Sequence, residues 1–122
     1  MKTFDLDERM INFSVNIIKL AEKLPKTPTG IYFSNQLIRS ASSAALNYAE
    51  AQSGESRKDF IHKLLVALKE LRETNSGLKI LEKLEMAGLK ESGDGVIKEN
   101  NELISIFMQS VKTARNNMKK EQ

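Results

Sequence analysis

Apolar residues recur along this chain at spacings of three and four. The first run, Leu6, Met10, Phe13, Ile17, Leu20 and Leu24, falls on one helical face, and Ile11 and Ile18 widen the stripe. Asp5, with Glu8 three residues on, has the form of a capping box, an acceptor for free amides at a helix start. Leu24-Pro25 ends the helix, because proline disfavours helical geometry in the residue before it. The connection Lys26-Thr27-Pro28-Thr29-Gly30 is short, so the next helix runs antiparallel to the first. That second helix spans Ile31 to Gln52 and carries only two charges, Arg39 and Glu50, beside the small residues Ser40 to Ala45. So little charge predicts cover on more than one side, and small residues let neighbouring backbones approach, so this helix is expected to be the most buried.

Ser53-Gly54-Glu55-Ser56 interrupts the pattern, and Ser56 with Asp59 offers a new start. The third helix carries Phe60/Ile61, Leu64, Leu68, Leu71, Leu78, Leu81 and Leu84, and Gly88 is its natural C-terminal cap. Asn75 takes the heptad position between Leu71 and Leu78, and Gly77 beside it marks a bend or a close contact. After a polar turn from Leu89 to Gly95, the residues Ile97, Asn100, Ile104, Phe107, Val111, Ala114 and Met118 keep the three-four repeat. Four amphipathic segments on short loops predict an all-α fold, an antiparallel up-down-up-down four-helix bundle. At 122 residues the chain has room for one contiguous core, a single domain over 1–122.

Composition adjusts this picture at a few points. Without cysteine there is no disulfide framework and no thiolate metal site, and nothing argues for an oxidising compartment, so the cytoplasm is the expected location. No apolar stretch approaches the roughly 20 residues that cross a bilayer, so no membrane role is expected. Nineteen basic residues against 16 acidic ones give a net charge of +3, which permits nucleic-acid binding without demanding it.

Chemistry is sparse. A di-metal bundle needs a Glu-x-x-His on each of two helices, and His62 is the only histidine, with Glu70 and Glu73 the nearest carboxylate pair. No Gly-x-Ser-x-Gly turn, Walker loop or dinucleotide turn is present, so neither an enzyme nor a cofactor or metal site nor a small-molecule substrate is expected. The antiparallel layout brings the start of the third helix to the end of the fourth. Arg57, Lys58, Lys63, Lys112, Arg115, Lys119 and Lys120 then share one end, a candidate phosphate contact, although the nearby acids Glu55 and Asp59 would equally suit an ordinary solvated helix end. Arg39, Asn47 and Glu50 lie at near-helical spacings on the second helix. They are expected to bond across helices or across protomers, Glu50 reaching Arg57 or Arg72.

The segments Ser34–Ser43, Asn47–Ala51, Ser56–Leu64 and Ala67–Thr74 resemble the bacterial four-helix bundle proteins called 23S ribosomal RNA intervening-sequence proteins. The likeness extends over the whole chain, in helices one and four as pattern and length. It implies an up-down bundle that assembles as a homopentamer, and, through related accessory proteins of diversity-generating retroelements, a basic surface for nucleic acid or for a protein that processes it. A protein-interaction module with no nucleic-acid role is the alternative. The name of the family is not an activity, and the resemblance brings no catalytic residues. Ala45-Leu46 and Ala51 stand where many members have smaller residues, and Ser76-Gly77 where many have aromatic bulk, so the middle of the third helix presents a different contact surface.

Overall fold

The computed structural model describes residues 5–53, 56–89 and 93–121, which form four helices: α1 (Leu6–Glu22), α2 (Pro28–Gln52), α3 (Arg57–Lys83) and α4 (Gly93–Lys120). Each packs on its neighbour in sequence, and α1 against α4 closes the ring. Contacts climb one helix as they descend the next: Ser40 meets Thr74 while Glu50 meets Lys63, and Arg57 meets Glu121 while Arg72 meets Met108. Helices α2, α3 and α4 therefore run antiparallel in turn. No described helix is long and apolar enough to cross a membrane.

The starts follow from side-chain acceptors. Asp5 Oδ1 accepts from Glu8 N at 3.0 Å and Ser56 Oγ from Asp59 N at 3.1 Å, each satisfying an amide that the first turn leaves free. Helix α2 begins three residues earlier than the apolar pattern indicates. Thr27 Oγ1 accepts from Gly30 N at 3.1 Å, and Pro28 sits in the first turn, where its missing N–H costs nothing. Gly30 has no substitute there, because a Cβ would lie 1.8 Å from the Pro25 carbonyl oxygen. Helix α3 ends before Gly88. Its C-cap is Leu84, followed by Glu85 at φ 53°, with Met86 N donating to Leu81 O and Glu85 N to Glu82 O, a Schellman arrangement built on a left-handed glutamate. Gly88, expected as the cap, instead lets the following turn cross the end of α1, where a Cβ would stand 2.7 Å from Lys23 O. With the helix shortened, Leu84 leaves the apolar stripe and is exposed.

The core joins Met10, Phe13, Ile17 and Leu20 of α1, Leu37, Ala41 and Ala44 of α2, Leu64, Leu71, Leu78 and Leu81 of α3, and Leu103 and Phe107 of α4. The small residues of α2 do bring α3 close: Ser40 and Thr74 share a buried hydroxyl bond of 2.6 Å, and the Cβ position of Gly77 is 3.3 Å from Leu37 Cδ2. Thr74, and not Asn75, takes the buried slot in the α3 stripe. At the rim of the core, Arg9 bonds Glu99 at 2.6 and 2.7 Å and Glu102 at 2.6 Å, fastening α1 to α4. The bond to Glu99, partly offset by burial, and then that to Glu102 raise the pKa of this arginine further.

Two buried polar groups yield predictions. Asn100 is fully buried, and neither its amide nitrogen nor its oxygen meets a partner among the described residues. Asn100→Leu removes an unsatisfied amide at nearly constant volume, so it is expected to stabilise the fold by about 1–3 kcal/mol, read as a raised urea midpoint. Tyr48 packs its ring 5.4 Å from that of Phe107 and accepts a bond from Gln52 Nε2. Burial first, then the charges of Asp7 and Asp5, raise its hydroxyl above the ordinary value. The folded chain thus holds this proton more tightly than the unfolded chain. The contribution is intact below about pH 10 and is lost as pH rises through the raised value. Tyr48→Phe is expected to lessen the decline of the urea midpoint above pH 10.

Helix α2 is not sealed within one chain. Its inner side is buried, but Leu46 is 64% exposed, Tyr32 57% and Ile31 48%. Ile11 and Val15 of α1 are exposed as well, close to where Ser14 meets Ser42 of α2 at 3.4 Å. The low charge of α2 is therefore not matched by cover within the single chain.

Candidate nucleic-acid interface

The antiparallel register brings the start of α3 to the end of α4, as the sequence requires, but it does not leave all seven cations free. Arg57 makes a two-pronged pair with Glu121, Nη2 to Oε2 at 2.6 Å and Nε to Oε1 at 3.1 Å. That bond raises the pKa of Arg57 and lowers that of Glu121. Lys63 Nζ lies 2.5 Å from Glu50 Oε1. Lys58, Lys112, Arg115, Lys119 and Lys120 are exposed and form no ion pair among the described residues. Glu55 lies outside the described residues.

Lys112, Arg115 and Lys119 share one rim of a cleft between α3 and α4, because spacings of three and four stack them on one side of α4. Arg72 of α3 stands on the opposite rim, its Nη2 3.3 Å from Met108 Sδ. From the sequence, Arg72 is expected only as a partner for Glu50. The pairing of α3 with α4 was the signal that would have placed it in the cleft. The floor is apolar, with Leu65, Leu68, Val111 and Met118.

The polar residues of α2 serve the α2–α3 seam. Arg39 is exposed and reaches Glu70 at 3.3 Å and also Glu73. Burial opposes its charge, but Glu70 and Glu73 outweigh that effect and raise its pKa. Ser43 Oγ donates to Glu70 Oε2 at 3.3 Å, and Asn47 Nδ2 donates to Ser43 O at 2.9 Å, within its own helix. Glu50 is exposed and crosses to Lys63, not to Arg57 or Arg72, because the register brings Lys63, nearly two turns beyond Arg57 along α3, level with it and gives Arg57 to Glu121. None of the three is buried in a single chain. Glu70 and Glu73 are occupied by Arg39, His62 is exposed, and no group of three His, Asp or Glu side chains converges among the described residues.

Residues 2–109 match the pattern of the 23S rRNA-intervening sequence protein family. The chain belongs to that family. A crystal structure of a protein of unknown function from the S23 ribosomal protein family of Bacteroides thetaiotaomicron is similar at 29% identity. It covers 88% of this chain and 99% of that one, with a TM-score of 0.80. No curated protein matches the chain. Lys112, Arg115, Lys119 and Lys120 lie past the matched span, so the family pattern accounts for the bundle and not for these cations.

Proposed function

We propose that this member of the family is a non-enzymatic, cytoplasmic scaffold that assembles with copies of itself, as a pentamer by its resemblance. Its cationic α3–α4 end then holds an RNA, a DNA or a protein that acts on nucleic acid. The observation that carries the self-assembly is the outer side of α2. Its two charges, Arg39 and Glu50, are both drawn to α3, so what faces outward is neutral and apolar: Ile31, Tyr32 and Leu46, with Ile11 and Val15 of α1 alongside. Such a face suits an equally neutral copy of itself and offers nothing to a charged partner.

The free cations of α4 support the second half of the reading. A contact made by three cations releases counterions, and affinity for a labelled single-stranded RNA is expected to fall roughly twentyfold between 50 and 200 mM salt. Binding that does not respond to salt contradicts the phosphate contact. The apolar floor between the rims favours the other reading, a protein-interaction module with no nucleic-acid role.

A further inference from the structure

We propose that the cleft between α3 and α4 receives an acidic amphipathic helix from a protein partner. The inference rests on the reading of the α4 end as a cationic docking surface, and it names the class of molecule that docks there. Two features of the cleft occur together. Lys112, Arg115 and Lys119 follow one another along the α4 rim, and Arg72 faces them from α3. Between the rims lie Leu65, Leu68, Val111 and Met118, with Met108 half exposed at the lip. An apolar strip flanked by positive charge is the complement of a helix whose apolar stripe is flanked by carboxylates. Methionines suit such a floor, because an unbranched thioether adapts to the side chains that enter.

The dimensions agree. Met108 to Lys119 at about 1.5 Å per residue runs about 17 Å, three turns of an incoming helix, and the cleft encloses about 580 Å³. Arg72 spends one nitrogen on Met108 Sδ, which leaves other donors of its fork for a carboxylate.

Nucleic acid fits this cleft less well. A phosphate backbone makes no use of an apolar floor, and surfaces that hold single strands supply aromatic rings on which bases stack. No aromatic residue lines this cleft. A second copy is a poor occupant too, since its neutral α2 face would leave four cations without partners.

The test uses the full chain and three fluorescein-labelled probes. One is a synthetic helical peptide of about fourteen residues with leucines at three-four spacing and glutamates flanking them, one has the same composition in scrambled order, and one is a single-stranded RNA of matched charge. The ordered peptide is expected to bind at least about tenfold more tightly than the scrambled one. Met108→Gln with Met118→Gln keeps the charge and is expected to weaken the ordered peptide about tenfold, leaving scrambled peptide and RNA unchanged. Met108→Gln alone, at an outward side chain that the fold does not need, is expected to weaken it about threefold. Equal binding of ordered and scrambled peptide, or indifference to the methionine changes, overturns the proposal while the cationic docking surface stands. RNA that displaces the ordered peptide at lower concentration than the peptide displaces RNA does the same, with nucleic acid as the occupant. If neither peptide nor RNA binds, the reading of a cationic docking surface falls as well.

Discussion

Lys112→Glu, Arg115→Glu and Lys119→Glu together are expected to abolish the salt-sensitive shift of RNA or DNA, weakening binding by roughly two orders of magnitude. The three side chains are exposed, lie on one side of α4 and meet no carboxylate among the described residues, so their charge is available to a partner. Reversal removes three attractions and adds three repulsions along the same rim. Helix α4 is anchored through Leu103, Phe107 and Ala114, which are buried in the core and do not line the cleft, so the fold should persist, and a thermal melt checks this. Arg57→Glu and Lys63→Glu serve as the comparison. Both cations are already neutralised, by Glu121 and Glu50, and their reversal is expected to change binding much less. A shift unchanged by the triple reversal contradicts the assignment of this end.

Phe107→Ala is expected to cost about 3–5 kcal/mol and to lower the Tm by roughly 10–20 °C. Phe107 is fully buried, and its ring packs on Tyr48 of α2 across the bundle at 5.4 Å. The loss therefore combines transfer of a large apolar side chain with a cavity that helices from two directions cannot close, and it removes an aromatic contact as well. Urea unfolding monitored by circular dichroism measures it. A change below about 1 kcal/mol would mean that α4 does not share one core with α2.

Much of the fold is written in local chemistry. The stripes, the Asp5 and Ser56 caps and the stop at Leu24-Pro25 depend on residues within a turn or two of one another, so the sequence displays them directly. What depends on register is less legible. Glu50 finds Lys63, and Arg57 finds Glu121, because helices fixed by their cores bring those side chains level, and spacing along one helix carries no trace of it. The close of α3 at Glu85 is hidden because a left-handed glutamate breaks the usual preference for glycine, and Gly88 nearby fits the preference while serving the next turn. The cationic cluster was half legible. The stacking of Lys112, Arg115 and Lys119 is a helical spacing, whereas their distance from any acid, and the arrival of Arg72 opposite, are facts of packing.

Helix α2 joins the sequence most directly to the proposed assembly. Its scarcity of charge signals a helix covered on more than one side, yet one chain leaves Ile31, Tyr32 and Leu46 in solvent. The two statements agree if the missing cover is another copy. Multi-angle light scattering of the full chain over a range of concentrations measures this directly. The expected mass is several times the 13.7 kDa of one chain, five times by the resemblance, and a mass of 13.7 kDa at every concentration would contradict assembly through α2.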